Sequence, residues 1–237
     1  KTDFRQRIVP NRIETYKEER YTLRFGNQSI FDTLYLSVQA RPNGLIINDE
    51  NTPLRDAVGV NFQPEIMPEN PEKTHAYRID GGRMRFVGGK WQDNAIDFTT
   101  RELGNFALGT DTTPPSVNLI QSNKKNISAR ISDGMSGIAQ FNAYVNNEWV
   151  LMNYDYKRNY IWSEKLVDSL DFEGPLRLEV IDRAGNIALI ETEIKEAAPR
   201  PAARSKSKRA TAVKRGKSRT KSKTSSKAKK STKRRKR

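Results

Sequence analysis

The sequence predicts an all-β protein, two sandwich domains in tandem followed by a disordered basic tail, on three observations. Apolar residues recur at every second position over short runs, and Gly or Asn pairs of the kind that close tight hairpins separate several of those runs. The last residues, 197–237, change to a composition that cannot build a core. A chain of 237 residues has room for two domains of modest size, since domains commonly run to roughly 100–150 residues.

The first domain is expected over 21–111. "TLYLSVQ" places Leu34, Leu36 and Val38 on one face and Thr33, Tyr35 and Ser37 on the other, the pattern of a half-buried strand. Shorter strands are expected at 45–48, 57–62, 75–80, 83–88 and 106–109. Gly81-Gly82 joins the strands on either side of it, because both positions can take a positive φ without a Cβ penalty. Residues 1–20 are set apart as an N-terminal linker whose form stays open between a short helix, a partner strand and an unsupported end.

"GTDTTPPSV" ends the pattern. Pro114 and Pro115 cannot donate to a sheet ladder, as befits a boundary between sandwiches. About seven short strands follow over 112–196, from "SVNLI" to "IALIETEI", at the spacing of an immunoglobulin-like sandwich. Asn146-Asn147 suits a type I′ hairpin, and "IDRAGNIA" a turn in which Asp182 accepts backbone amides and Gly185 supplies a left-handed residue. "SDGMSGI" reads the same way, with Asp133, Gly134 and Gly137. Val145, Trp149 and Leu151 are expected to face the core, where Trp149 alone would bury on the order of 200 Å².

Charge divides the chain sharply. Residues 200–237 hold 19 of the 43 Lys and Arg and none of the 28 Asp and Glu, so residues 1–199 carry 24 basic against 28 acidic side chains, a net of −4. The net charge of +15 therefore belongs to the tail, and the body has no basic surplus with which to attract nucleic acid. There is no cysteine, which excludes disulfides, thiolate metal sites and cysteine nucleophiles. No apolar run approaches the roughly 18–20 residues of a membrane-spanning helix. The opening "KTDFRQRIVP" has neither an initiator Met nor the layout of a secretory signal, and reads as a fragment or processed product.

A single histidine, His75, leaves too few ligands for a catalytic zinc and only one possible imidazole base for a Ser–His–Asp or Cys–His system, so an ordinary surface or strand residue is expected there. Asp133, Asp155, Asp168, Asp171 and Asp182 lie near expected turns. For Asp133 and Asp182 turn capping is the expectation, and calcium held in a loop cluster is the alternative. The glycines in "GKW" and "GGR" lack the spacing of a phosphate-binding loop and a following helix. Tyr154, Tyr156, Tyr160 and Trp162, with Lys157 and Arg158 among them, form an aromatic cluster suited to a sandwich edge, to stacking on sugar rings or to packing on another domain.

The tail has one large aliphatic residue, Val213, and no aromatic. It cannot offset the roughly 1–2 kcal/mol per residue lost on ordering a backbone, so disorder is expected. Its cations, Lys206, Lys208, Arg209, Lys214, Arg215, Lys217, Arg219, Lys221, Lys223, Lys227, Lys229, Lys230, Lys233, Arg234, Arg235, Lys236 and Arg237, suit polyanion binding driven by counterion release, without base stacking. Its composition resembles linker-histone tails, and "KKSTKRRKR" a nuclear address, both only weakly.

Four pieces of the body carry a wider resemblance. They are the junction from Arg101 through Leu103, Gly104, Phe106, Ala107, Leu108 and Asp111 to Pro114-Pro115; the turn Asp133, Ser136, Gly137, Ile138; the strand Trp149, Val150, Leu151, Tyr154, Asp155; and the turn Asp182, Gly185, Asn186. In this order they resemble the C-terminal immunoglobulin-like region of lysostaphin-like zinc metallopeptidases of Gram-negative bacteria, which act on peptidoglycan. The resemblance implies a periplasmic or cell-envelope location and a catalytic domain upstream as partner. That family's zinc-binding H-x-x-x-D and H-x-H motifs are missing here, so no cofactor is expected in this chain and zinc only in the upstream domain.

The expected function is thus a non-catalytic accessory region of a peptidoglycan-directed zinc metalloendopeptidase. Its tail would bind lipopolysaccharide, acidic polysaccharide or nucleic acid. The alternative is a nucleic-acid-associated protein that uses the histone-like tail.

Overall fold

The computed structural model describes residues 4–165 and 171–194, and these are all-β. Twelve strands make the first unit: β1 (Gln6–Ile8), β2 (Glu14–Lys17), β3 (Tyr21–Phe25), β4 (Leu34–Leu36), β5 (Val38–Arg41), β6 (Gly44–Ile47), β7 (Pro53–Phe62), β8 (Thr74–Asp80), β9 (Arg83–Gly88), β10 (Lys90–Gln92), β11 (Ala95–Glu102) and β12 (Gly104–Thr110). Two five-stranded antiparallel sheets face each other, in the orders β10-β11-β7-β3-β2 and β5-β6-β12-β8-β9, and β1 pairs with β4 beside them. Leu23, Val58, Val60, Phe62 and Ile96 of one sheet meet Leu45, Ile47, Ala76 and Phe106 of the other, all buried. The rings of Phe98 and Phe106 bridge the layers at 5.6 Å. Each fully buried side chain of this size contributes about 1.5–3 kcal/mol relative to exposure.

The alternation of Leu34, Leu36 and Val38 is present, and all three are buried. It does not form one strand, however. The Asn48 side chain accepts the Ser37 amide and donates to the Tyr35 carbonyl, which breaks the run so that β4 pairs with β1 and β5 with β6. The expected linker over 1–20 is corrected in the same way. Within it, β1 and β2 are strands of the first unit, Ile8 is fully buried in its core, and Glu14 holds the segment by accepting from Gln6 and the Val9 amide. Strands of three or four residues with no clean alternation are recognisable only from the edges they pair with.

Among the described residues, eight strands make the second unit: β13 (Ser116–Ser122), β14 (Ile127–Ser132), β15 (Ile138–Val145), β16 (Glu148–Val150), β17 (Met152–Asp155), β18 (Tyr160–Ser163), β19 (Pro175–Asp182) and β20 (Ile187–Glu193). The sheets β13-β14-β18-β17 and β16-β15-β19-β20 have the order A-B-E-D against C′-C-F-G of immunoglobulin-type sandwiches. Ile127, Ala129, Ile131 and Ile161 pack on Ala143, Val145, Leu176, Leu178 and Val180.

The hairpin chemistry is as the residues require. Gly81 and Gly82 have φ of 53° and 81°, and Asn146 and Asn147 have 50° and 67°. The second of these turns corrects the placement of Trp149. It pairs Val145 with Glu148 and Tyr144 with Trp149, so Val150, opposite buried Ala143, points inward while Trp149 is 55% exposed. The aromatic cluster is likewise divided by the two-residue period. Tyr154 lies opposite buried Ile161 and touches Phe141, whereas Tyr160 and Trp162 stack on each other at 5.7 Å on the other face of β18. Tyr156 stands in the turn, 68% exposed. The four rings form no single platform.

Among the described residues no helix is long and apolar enough to cross a membrane. Asp168, the tail expected to be disordered and its polyanion-binding residues from Lys206 to Arg237 lie outside the described residues.

Candidate functional site

The outer face of the first unit carries the site. Along β8, Ala76 faces the core, so His75, Tyr77 and Ile79 must point away from it. Pairing with β9 and β12 adds Phe86, Met84 and Gly109 to that outer face. Yet Tyr77 is fully buried, because turns of the second unit cover it. A Cβ on Gly109 would stand 2.5 Å from Met135 Cε, 2.9 Å from Met84 Cε and 3.0 Å from Tyr77 Cε2, so glycine is what lets the second unit's Met135 reach this surface.

Asp111, the residue after β12, ties the arrangement together. Its amide donates to the Lys73 carbonyl at 2.9 Å, which ties it to the first unit. Its carboxylate accepts the Thr113 amide at 3.2 Å and, across the junction, the Ser136 amide at 3.0 Å. Its carbonyl accepts the Asn186 side-chain amide at 2.8 Å. Lys73 Nζ donates to the Ala184 carbonyl at 3.0 Å, and the Arg183 guanidinium lies 5.7 Å from the Phe86 ring centroid. Asp111, Ser136, Asp182, Ala184 and Asn186 are all buried, so these bonds are shielded from competing water.

The two turns of the second unit are built as their residues suggest. Asp133 Oδ2 accepts the amides of Met135 and Gly137 at 2.9 and 2.7 Å. Asp182 accepts the Asn186 amide and side chain, each at 2.8 Å, and Gly185 takes a φ of 76°. The Arg183 amide donates to the Gly137 carbonyl at 2.9 Å and holds the turns together. Turn capping by Asp133 and Asp182 is therefore present. What the sequence reading did not foresee is their meeting with Asp111: one oxygen of each of the three carboxylates lies within 4.8 Å of the others.

That proximity has an electrostatic cost. At such a distance two carboxylates repel by about 3–4 kcal/mol for an effective dielectric near 20. The amides above offset part of it. No ion pair joins Asp111, Asp133 or Asp182 to a Lys or Arg among the described residues, and Lys73, which reaches the same turn, spends its ammonium on a carbonyl. Asp133 Oδ1 accepts no hydrogen bond among the described residues, since all its donors go to Oδ2.

Two further groups stand beside the carboxylates without partners. The buried Tyr77 hydroxyl makes no hydrogen bond. Burial first, and then the charges of Asp111, Asp133 and Asp182, hold its pKa well above the usual phenol range. His75 packs edge-on to Phe86 with both ring nitrogens buried and without a hydrogen-bond partner, the Gly89 backbone lying beside the ring. Burial pushes its pKa down, against the opposing charges of Asp182 and Asp111. His75 is thus a strand residue of β8 with a covered ring, outside the three-carboxylate group.

The other sequence-predicted aspartates lie elsewhere. Asp155 caps its own turn by accepting the Lys157 amide at 3.0 Å, and Asp171 pairs with Lys125 and Lys165. Of the four pieces that carried the resemblance, three, at Asp111, Asp133 to Gly137 and Asp182 to Asn186, meet at this one junction. Residues 5–111 match the family model described as the Zu5-like domain, a span that runs from the first described strand to Asp111 itself. Nothing among the curated proteins and nothing among the solved structures matches the chain.

Proposed function

We propose that residues 1–198 act as a non-catalytic positioning module, in which the two sandwiches are held in one fixed relation and present their surfaces to a neighbouring domain or to the cell envelope. The observation that carries this reading is the buried bonding of Asp111 to Ser136 and Asn186 across the junction. A hinge left free to swing would expose such groups to water, whereas groups that exchange specific buried bonds lose stability when they separate. Residues 1–198 form one compact unit, which supports a module that moves as a body.

The finer assignment is an accessory region of a peptidoglycan-directed zinc metalloendopeptidase, working in the periplasm or envelope beside an upstream peptidase domain. Its support is the likeness of the junction and turn motifs. The tail then adds adhesion to anionic polymers, driven by its run of cations.

Purified peptidoglycan sacculi, lipopolysaccharide and duplex DNA test both parts. The 237-residue chain is expected to sediment with sacculi and to release no soluble fragments with or without added zinc. Truncation after Ala198 is expected to abolish retention on heparin and leave thermal unfolding unchanged. Zinc-dependent release of cell-wall fragments would refute the non-catalytic reading. Retention of the full chain on duplex DNA, with none on sacculi, would favour the nucleic-acid alternative, and retention of the truncated protein on heparin would refute the tail's role.

A further inference from the structure

We infer that Asp111, Asp133 and Asp182 form a calcium site that clamps the second sandwich to the first. Three carboxylates, two of them buried, are brought within 4.8 Å from three separate segments with no ammonium or guanidinium paired to them among the described residues. Turn capping explains only part of what they offer. A carboxylate has about four lone-pair directions, and Asp111 and Asp182 each use two on amide donors while Asp133 Oδ1 uses none.

The independent sign is Tyr77. Its hydroxyl is fully buried and unpartnered at the same junction, its ring edge lying where a Cβ of Gly109 would touch both it and Met135, two residues after Asp133. Burial first, and then the charges of Asp111, Asp133 and Asp182, raise the pKa of this hydroxyl, in keeping with that placement. A buried O–H without an acceptor costs roughly 1–3 kcal/mol. A water in the coordination shell of an ion held by the carboxylates supplies the missing partner, so Tyr77 stands in the second sphere rather than as a ligand.

The donor set selects the ion. Every candidate ligand is a hard oxygen and the chain has no cysteine, which favours calcium or magnesium over softer metals. Side chains delivered by three separate segments suit calcium's tolerance of irregular coordination better than magnesium's near-ideal octahedron. The ion joins Asp111, fastened to the first unit through Lys73, to both turns of the second. It therefore goes beyond the positioning role, which survives its absence if the chelated protein still unfolds as one body.

The test uses the full chain, stripped with chelator and titrated with CaCl2 by calorimetry, with thermal unfolding followed in parallel. One Ca2+ per chain is expected, with a dissociation constant on the order of 10⁻³ M or tighter, as in extracellular modules, and a rise in the unfolding temperature. Asp133→Asn keeps an oxygen for the Met135 and Gly137 amides but removes the charge, and is expected to weaken binding at least about tenfold. Tyr77→Phe retains the ring and is expected to weaken it by about tenfold through the second sphere. Absence of saturable binding up to ~10 mM CaCl2 overturns the proposal, because that lies above the weakest known module sites. Undiminished binding by Asp133→Asn overturns it as well, as does a response to ZnCl2 in place of CaCl2.

Discussion

The Asp111 carboxylate accepts the Ser136 amide at 3.0 Å, and each residue is almost wholly buried. The residue that closes the first sandwich thus caps a turn of the second, and the stability of the two becomes linked. Asp111→Ala relieves the repulsion from Asp133 and Asp182 but leaves that amide and the Thr113 amide without their acceptor, at a cost of about 1–3 kcal/mol for the buried one, and unties the turn from the first sandwich. Calorimetry in chelator is expected to show one transition for the native protein and two, or one broadened, for the variant. A single sharp transition at an unchanged temperature would contradict the linkage.

Trp149 and Val150 invert the usual ranking of core substitutions. A buried Trp costs about 3–5 kcal/mol when truncated to Ala, yet Trp149 is 55% exposed, so Trp149→Ser is expected to change stability by less than about 1 kcal/mol. Val150→Ala, which removes two methyls from a buried position, is expected to cost more, about 1–2 kcal/mol. Denaturant unfolding of the two variants side by side gives the order directly.

Gly44 opens β6 and lies opposite Ala107 of the adjoining antiparallel strand β12. A Cβ there would stand 2.1 Å from the Phe106 carbonyl oxygen, a backbone atom that cannot rotate away. Gly44→Ala is therefore expected to destabilise the first sandwich by several kcal/mol, at or beyond the ~3 kcal/mol upper end of overpacking effects. Hydrogen exchange on β6 and β12 should show the loss locally. Native-like protection of those strands would argue against it.

His75 makes stability depend on pH in one direction. Burial lowers its folded pKa, so between that value and the ordinary ~6.5 the unfolded chain binds a proton that the folded chain does not. Stability is expected to be level above about pH 6.5 and to fall as the pH drops below it. In His75→Phe, which keeps a ring against Phe86, this slope should disappear from melts recorded in chelator. A slope equal to that of the native protein would assign the dependence elsewhere.

Much of the local structure was readable from residue types. Gly81-Gly82 and Asn146-Asn147 take the positive φ their hairpins demand, and Asp133 and Asp182 cap the turns in which they stand. The placement of Trp149 was legible too, had the register been followed through its turn: a two-residue loop pairs Val145 with Glu148 and so sets Trp149 opposite Tyr144. Composition also separated the acidic body from the basic tail.

The amino-acid order by itself determined the all-β class, the hairpins and the caps, because each depends on φ preferences, side-chain alternation or bonds between residues a few positions apart. Tertiary structure alone decided that β1 and β2 join the first sandwich, that an outer face bearing Tyr77 is buried, and that Asp111 meets Asp133 and Asp182. Those outcomes rest on contacts between distant segments, whose pairing no local preference encodes. The same turn motif caps its own loop whether or not a neighbouring sandwich docks upon it.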